Sequence, residues 1–263
     1  MFVKKYKPYT PSMRFKSVVD KRYLSNYSFK LLSFFNYRSI GKSKGRIICR
    51  FRHKQIKKSM NFIDFFRNTH LNIPFQVLLM KYDSYRTSFV ALCSSFNGIY
   101  TNFLSSENLF IGSFLYNWNK FFGFLSEGDS LSLIEMPFGS VFFHVEKNYS
   151  KGAQIARSAG TSCYFINKFD DLNKALVELP SGKRVYVSLS VRATVGICSN
   201  SKHKHICYGN AGKSFFLGKK PHTRGVAMNP VDHPHGGGEG KKSGRSCPYS
   251  PWRKHRLFKK THG

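Results

Sequence analysis

Phe75-Gln-Val-Leu-Leu-Met80, Ser88-Phe-Val-Ala-Leu-Cys93 and Ile99-Tyr-Thr-Asn-Phe-Leu104 are three short β-like runs, and Asn97-Gly98 separates the last two. Both residues of an Asn-Gly pair tolerate positive φ, so the dipeptide predicts a hairpin closed by a type I′ turn. Downstream the same pattern recurs in Ser130-Leu-Ser-Leu-Ile134, Val141-Phe-Phe-His-Val145, Cys163-Tyr-Phe-Ile166, Lys174-Ala-Leu-Val-Glu-Leu179 and Arg184-Val-Tyr-Val-Ser-Leu189. Pro180-Ser-Gly-Lys183 supplies the turn between the last two. Many short strands between turn signals, with no long 3.6-residue periodicity, predict a mainly β chain of two small barrels in tandem, meeting near Gly123 to Gly128. The aromatic content of 16%, including Phe65-Phe66 and Phe121-Phe122, fills their cores. A minority of rings on barrel faces is suited to stacking on RNA bases.

The charge is segregated around this middle. Lys and Arg number 43 against 13 Asp and Glu, a net charge of +30 that solubility does not require and that points to a polyanionic partner. Residues 1–58 carry 17 basic and 1 acidic residue, 59–200 carry 12 and 10, and 201–263 carry 14 and 2. The division is thus a basic N-terminal extension over 1–58, barrels over 59–125 and 126–200, and a basic C-terminal extension over 201–263. Such self-repelling ends are expected to order only against a polyanion. Arg46-Ile-Ile-Cys-Arg-Phe-Arg-His-Lys-Gln-Ile-Lys-Lys58 is the densest run, interleaved with Phe51, His53 and Gln55. It predicts binding that weakens steeply with salt, through counterion release. No apolar run reaches the roughly 18 to 20 residues of a membrane span, so nucleic acid is favoured over a membrane. The six cysteines are scattered without a C-x-x-C pair and read as reduced thiols.

Three motifs invite catalytic or metal readings. Gly209-Asn-Ala-Gly-Lys-Ser214 carries the end of a phosphate-loop pattern, but Cys207 stands where its first glycine belongs, and Lys202-His-Lys-His-Ile206 is too polar for a feeding strand. Cys198, His203, His205 and Cys207 have zinc-ligand chemistry, yet His-x-His-x-Cys is not a usual structural-zinc spacing, and a cationic loop against RNA is the simpler reading. Asp232-His233 beside His235 has no nucleophile in a recognisable setting, and neighbours in an extended loop point apart. In Asn229-Pro-Val-Asp-His-Pro-His-Gly-Gly-Gly-Glu-Gly240 the prolines hold preceding residues extended, while Gly236 to Gly238 let backbone lie against a phosphate chain.

Arg224-Gly-Val-Ala-Met-Asn-Pro-Val-Asp-His-Pro-His-Gly-Gly-Gly-Glu-Gly240 and Pro248-Tyr-Ser-Pro-Trp252 resemble the C-terminal signature of the L-two family of large-subunit ribosomal proteins. Gly152-Ala-Gln-Ile-Ala-Arg-Ser-Ala-Gly-Thr161 and Lys5-Tyr-Lys-Pro-Tyr-Thr-Pro11 extend the likeness, which is patchy from about 17 to 40 and 95 to 125. The resemblance implies an OB-like barrel followed by an SH3-like barrel, with basic extensions threading into large-subunit ribosomal RNA. It also implies links to subunit association, tRNA binding and support of the peptidyl-transferase region, with His233 at the family's loop histidine. The glycine-rich insert usual near Arg52-His-Lys-Gln55 is missing.

The expected RNA-binding residues are Arg46, Arg50, Arg52, His53, Lys54 and Arg157, then Arg224, Asn229, Asp232, His233, His235, Gly236, Gly237, Gly238, Lys241 and Lys242. The expected partners are large-subunit ribosomal RNA, neighbouring ribosomal proteins and, at the subunit interface, small-subunit RNA. No membrane, cofactor, metal or catalytic residue is expected. The Phe-, Tyr-, Ser- and Asn-heavy filling points to the mitochondrial ribosome, with a plastid or bacterial cytoplasm as alternatives. A metal- or nucleotide-dependent RNA enzyme and a free RNA chaperone are the competing classes.

Overall fold

A computed structural model describes residues 3–25, 27, 30–36, 40–52, 56–121, 123–240, 245 and 247–254. The chain forms two compact units, Met1–Arg38 with Lys57–Ala211, and Ser39–Ile56 with Gly212–Gly263.

The first unit is mainly β and, beside three two-stranded pairs among the described residues, holds two larger sheets. One is four-stranded and antiparallel, in the order Phe114–Tyr116, Pro74–Tyr82, Phe89–Ser95 and Tyr100–Leu104. Along Pro74–Tyr82 the alternation puts Phe75 and Val77 inside and Gln76 outside, and a bulge between Val77 and Leu79 then re-phases the strand. Phe75, Val77, Phe89, Ala91, Cys93, Phe103 and Leu115 make its core. The other sheet is six-stranded, ordered Ser130–Ser132, Arg192–Val195, Val141–Phe143, Cys163–Phe169, Lys174–Glu178 and Arg184–Ser188. Phe142, Phe143, Phe165, Leu131, Leu133 and Leu189 lie under it with almost no exposure. Two antiparallel sheets in sequence order agree with the tandem-barrel expectation and with an OB-like domain followed by an SH3-like one.

Several local readings change. The Asn97-Gly98 hairpin exists, but of the pair only Gly98 takes a positive φ, 76°. Its N–H donates to Ser95 O at 3.1 Å while Ser95 N donates to Ile99 O at 2.9 Å. The connection is therefore a three-residue loop with its glycine in the left-handed region, the next most common hairpin solution after type I′. The run Val141–Val145 is broken at His144, whose φ is 53°. Arg192–Val195, a central strand, has only four residues and an Arg at its start, too little pattern to read from sequence.

The basic N-terminal segment carries backbone pairing of its own. Val3–Lys5 pairs with Ser17–Val19, and Ser33–Asn36 with Lys58–Asn61. Val19 and Leu24 enter the core of the four-stranded sheet, and Ser17 exchanges backbone bonds with Cys207. Apolar contacts at Val19 and Leu24 fasten the segment 3–25 to the barrel.

The two sheets meet on a buried cation. Arg67, 2% exposed, donates from Nε to Asn117 Oδ1 at 2.8 Å, and from its terminal nitrogens to Gly128 O, Thr194 Oγ1 and Tyr116 O. Beside it the buried Asp129 carboxylate accepts from Tyr116 N, Trp118 Nε1, Ser126 N and Ser126 Oγ. Burial lowers the Arg67 pKa to about 10, against the raising effect of Asp129 and Asp64, so the group stays charged at neutral pH. Arg67→Met should destabilise the chain by about 3 to 5 kcal/mol, because it leaves the Tyr116 and Gly128 carbonyls and Asn117 Oδ1 without their donor. Urea denaturation measures this, and Arg67→Lys should not restore the loss, since an ammonium cannot span the guanidinium's divergent acceptors.

Candidate nucleic-acid interface

The second unit is built from both basic segments. Lys42–Ser43 and Arg46–Ile47 form a hairpin whose two-residue turn, Lys44 and Gly45, has φ of 48° and 74°, the type I′ signature. It holds Lys42 and Arg46 exposed. Gly41 follows from close packing, since a Cβ there would overlap Cys49 O. Arg52 then bridges antiparallel to Lys219, Lys220 N donates to Phe51 O at 3.0 Å, and the Phe51 ring lies 4.2 Å from that of His222. Residues far apart in sequence thus become one positively charged surface.

Against this segment lies the signature loop, which is folded rather than extended. Asn229 O accepts the N–H groups of both Asp232 and His233, Gly236 N donates to His233 O, and Gly237 N donates to Met228 O. A Cβ on Gly236 would overlap the carbonyls of Met228 and Asn229, and one on Gly237, at φ 86°, would overlap the Pro230 ring. These two glycines therefore serve the loop's own closure, a correction to reading them only as room for phosphate. Gly238 lies exposed beyond them.

His233 is an internal group of the loop, 7% exposed, with its ring against Gly225, where any Cβ would overlap it. Its Nδ1 accepts the His235 N–H at 3.1 Å, which leaves the proton on Nε2 in the neutral ring. His235 Nε2 in turn accepts from Tyr249 N at 2.9 Å, and Arg245 Nε donates to Pro234 O at 3.0 Å. Burial, His235 and Arg50 all depress the His233 pKa, which keeps the acceptor nitrogen free of a proton. Arg50 reaches the loop from the other segment, with one nitrogen 3.4 Å from Asp232 O and another 3.8 Å from Met228 Sδ.

Arg50, Arg52 and Asp232 are thus brought to one place, with Asn229, His233, His235, Gly236 and Gly237 in the adjoining loop. Arg46 sits on the hairpin, and Arg224 stands exposed before the short 3-10 turn Gly225–Ala227. His53, Lys54, Lys241 and Lys242 lie outside the described residues.

Arg157 belongs to the first unit, in a second cationic cluster. Its guanidinium lies 5.3 Å from the centre of the Phe65 ring, and that of Arg86 lies 4.9 Å from the same centre. Burial and the Arg157 charge lower the Arg86 pKa while Asp83, 3.7 Å away, opposes them. Two like charges on one ring make a site that an anion would relieve. Arg86 was missed in the sequence because it stands alone between two strands, outside any basic run.

The rival motifs do not assemble. Cys198 is fully buried, its thiol donates to Arg157 O, and burial pushes its pKa up to about 12. His203 lies beside Asn200, and Cys207 is exposed. Among the described residues no three His, Cys, Asp or Glu side chains are placed to share a metal ion. The stretch Gly209 to Ser214 leads into a six-residue helix, Ala211–Phe216, preceded by a 3-10 turn, Ser201–His205, and not by a strand. No described helix is long and apolar enough to cross a membrane.

Two predictions test this geometry. Gly225→Ala should open the loop as effectively as His233→Ala, with exchange of the Gly236 and Gly237 amides at least about 10-fold faster by hydrogen-exchange measurement, an effect of about 1.4 kcal/mol. His144, 3% exposed beside Phe65, has its pKa lowered by burial first, then by Arg67, Arg157 and Arg86, to about 3. The unfolded chain takes that proton near pH 6.5. Between pH 6.5 and 3 the unfolded state therefore binds more protons, and stability falls as pH falls. Urea midpoints of His144→Phe should fall less steeply from pH 6.5 to 4 than those of the parent chain.

Comparison with known proteins agrees across both units. Residues 30–117 match the family model described as Ribosomal Proteins L2, RNA binding N-terminal domain, and residues 126–253 match Ribosomal Proteins L2, C-terminal domain. A Large ribosomal subunit protein uL2 from Rhodopseudomonas palustris (strain BisB18) is 38% identical over 263 residues, covering 99% of this chain and 93% of its own length. The protein of the same name from Brucella ovis is 39% identical over the same shares of both chains. With matched models over both units and relatives that align end to end, the chain belongs to the L2 family of large-subunit ribosomal proteins, the uL2 proteins.

Proposed function

We propose that this chain is a structural constituent of a large ribosomal subunit that binds ribosomal RNA and has no turnover of its own. The observation that carries the reading is the single cationic surface made from the two basic segments, with the family's signature loop closed upon it by Arg50, Asn229 and Tyr249. Phosphate contacts come from Arg46, Arg50, Arg52 and Arg224 on one unit, and from Arg86 and Arg157 over Phe65 on the other. His233 shapes the loop from within, so its contribution to particle function is through the form of the backbone offered to RNA.

Neighbouring ribosomal proteins and small-subunit RNA are the further partners of this reading, which extends to subunit association, tRNA binding and support of the peptidyl-transferase region. The A+T-type filling with 26 Phe and 14 Tyr supports residence in a mitochondrial ribosome. The bacterial origin of the relatives supports the bacterial cytoplasm as the second reading. Fractionation of the source cells, with the chain followed by antibody into organelle or cytosol, decides between them.

Sedimentation of a native extract should place the chain with the large subunit, and recovery outside that fraction would overturn the proposal. In binding of the full chain to large-subunit ribosomal RNA, Arg86→Ala with Arg157→Ala should weaken affinity and flatten the slope of log K against log salt by about 1.4 to 1.8, as expected for two lost phosphate contacts. An unchanged slope would remove that cluster from the interface.

A further inference from the structure

The hairpin, the Arg50–Arg52 segment and the signature loop line an open cavity of about 590 Å³, wholly within the second unit. That is within the range of about 300 to 1,000 Å³ typical of small-ligand sites. Its walls are of two kinds. Ile40, Ile47, Phe51 and Met228 supply apolar surface, in a unit where, among the described residues, no hydrophobic side chain is buried. Lys42, Arg50, Arg52 and Lys220 supply positive charge.

One acid lines the cavity, Asp232. Residues 201–263 hold only one other, Glu239. Arg50 reaches the backbone oxygen of Asp232, yet among the described residues the carboxylate makes no ion pair and accepts no hydrogen bond. A pocket meant only for phosphate would be weakened by that charge, and its apolar wall would go unused. A planar base with its own phosphate uses all three features: ring faces on the apolar wall, phosphate on the cations, and base donors on the carboxylate.

We propose that this cavity receives one unpaired guanosine of the large-subunit ribosomal RNA, with Asp232 accepting from its base edge. This rests on the RNA-binding reading above and adds a base-reading site to it. The carboxylate is an acceptor only, with two oxygens side by side. Guanine is the base whose edge offers two adjacent donors, N1–H and the N2 amino group, to match them. Adenine and cytosine offer one amino group beside an acceptor, and uracil a single N–H between two acceptors.

The test uses the full chain bound to its own large-subunit ribosomal RNA, with unpaired guanines probed by kethoxal, and adenines and cytosines by dimethyl sulfate. The parent chain should protect one unpaired guanine that both Asp232→Ala and Met228→Trp expose again, the first by removing the acceptor and the second by filling the cavity. Protection elsewhere should stay the same, and affinity of the Asp232→Ala chain should fall by about 10-fold. Identical footprints for the parent and both variants would overturn the proposal while leaving RNA binding intact. Exposure of an adenine or cytosine instead would overturn the guanosine assignment. Absence of any footprint from the parent chain would overturn the RNA-binding reading itself, and this inference with it.

Discussion

A single buried guanidinium fixes how the two sheets of the first unit are joined. Arg67 donates to a carbonyl at the end of the four-stranded sheet, to another at Gly128, and to the Thr194 hydroxyl in the centre of the six-stranded one. Neither sheet can shift without stranding a charge out of water, a change far more costly than loss of a surface ion pair. Asp64 orders the approach by accepting the Phe66 and Arg67 N–H groups, which allows Arg67 its φ of 50°. Asp129 fastens the other side through Tyr116, Trp118 and Ser126. That polar junction also carries Phe65, two positions from Arg67, into the place where Arg86 and Arg157 converge on it. The cationic site is a consequence of how the junction is built.

The second unit obeys a different physics. None of its described hydrophobic side chains is buried, so burial of apolar area contributes little to its order. Its form comes from backbone pairing, from glycines where a Cβ would overlap a neighbour, and from histidine nitrogens used as acceptors. These interactions are each small and are opposed by repulsion among Lys42, Arg46, Arg50, Arg52, Lys219 and Lys220. A polyanion that binds only the ordered form adds its binding free energy to the unit's stability. The expectation of order through RNA thus retains its energetic logic for this unit.

The strands of both barrels were legible where β-type residues ran for five or more positions between turn signals, as in Pro74–Tyr82, Phe89–Ser95 and Lys174–Glu178. What escaped was set by tertiary contact. Arg192–Val195 is a strand because two neighbours claim it, and the Asn97-Gly98 loop took a third residue because Ser95 closes on Ile99. The basic residues of the interface were readable as runs, whereas Arg86 was not, since its meaning depends on Phe65 and Arg157 arriving from other parts of the chain. The pairing of Arg52 with Lys219 had no local signal at all.

The signature loop shows why a motif identifies a family more readily than it explains itself. Asp232, His233 and His235 suggest catalysis when read in line, and RNA contact when read with the flanking charge. The folded loop separates them. His233 turns inward against Gly225 and His235 is held by Tyr249, while Asp232 keeps its carboxylate on the cavity wall. Gly236 and Gly237 are required by the same closure, because no side chain fits between their backbone and Met228, Asn229 or Pro230. The two histidines and two glycines therefore form one internal scaffold whose effect on a partner is carried by the backbone they shape. Asp232 is the member whose chemistry stays available to another molecule.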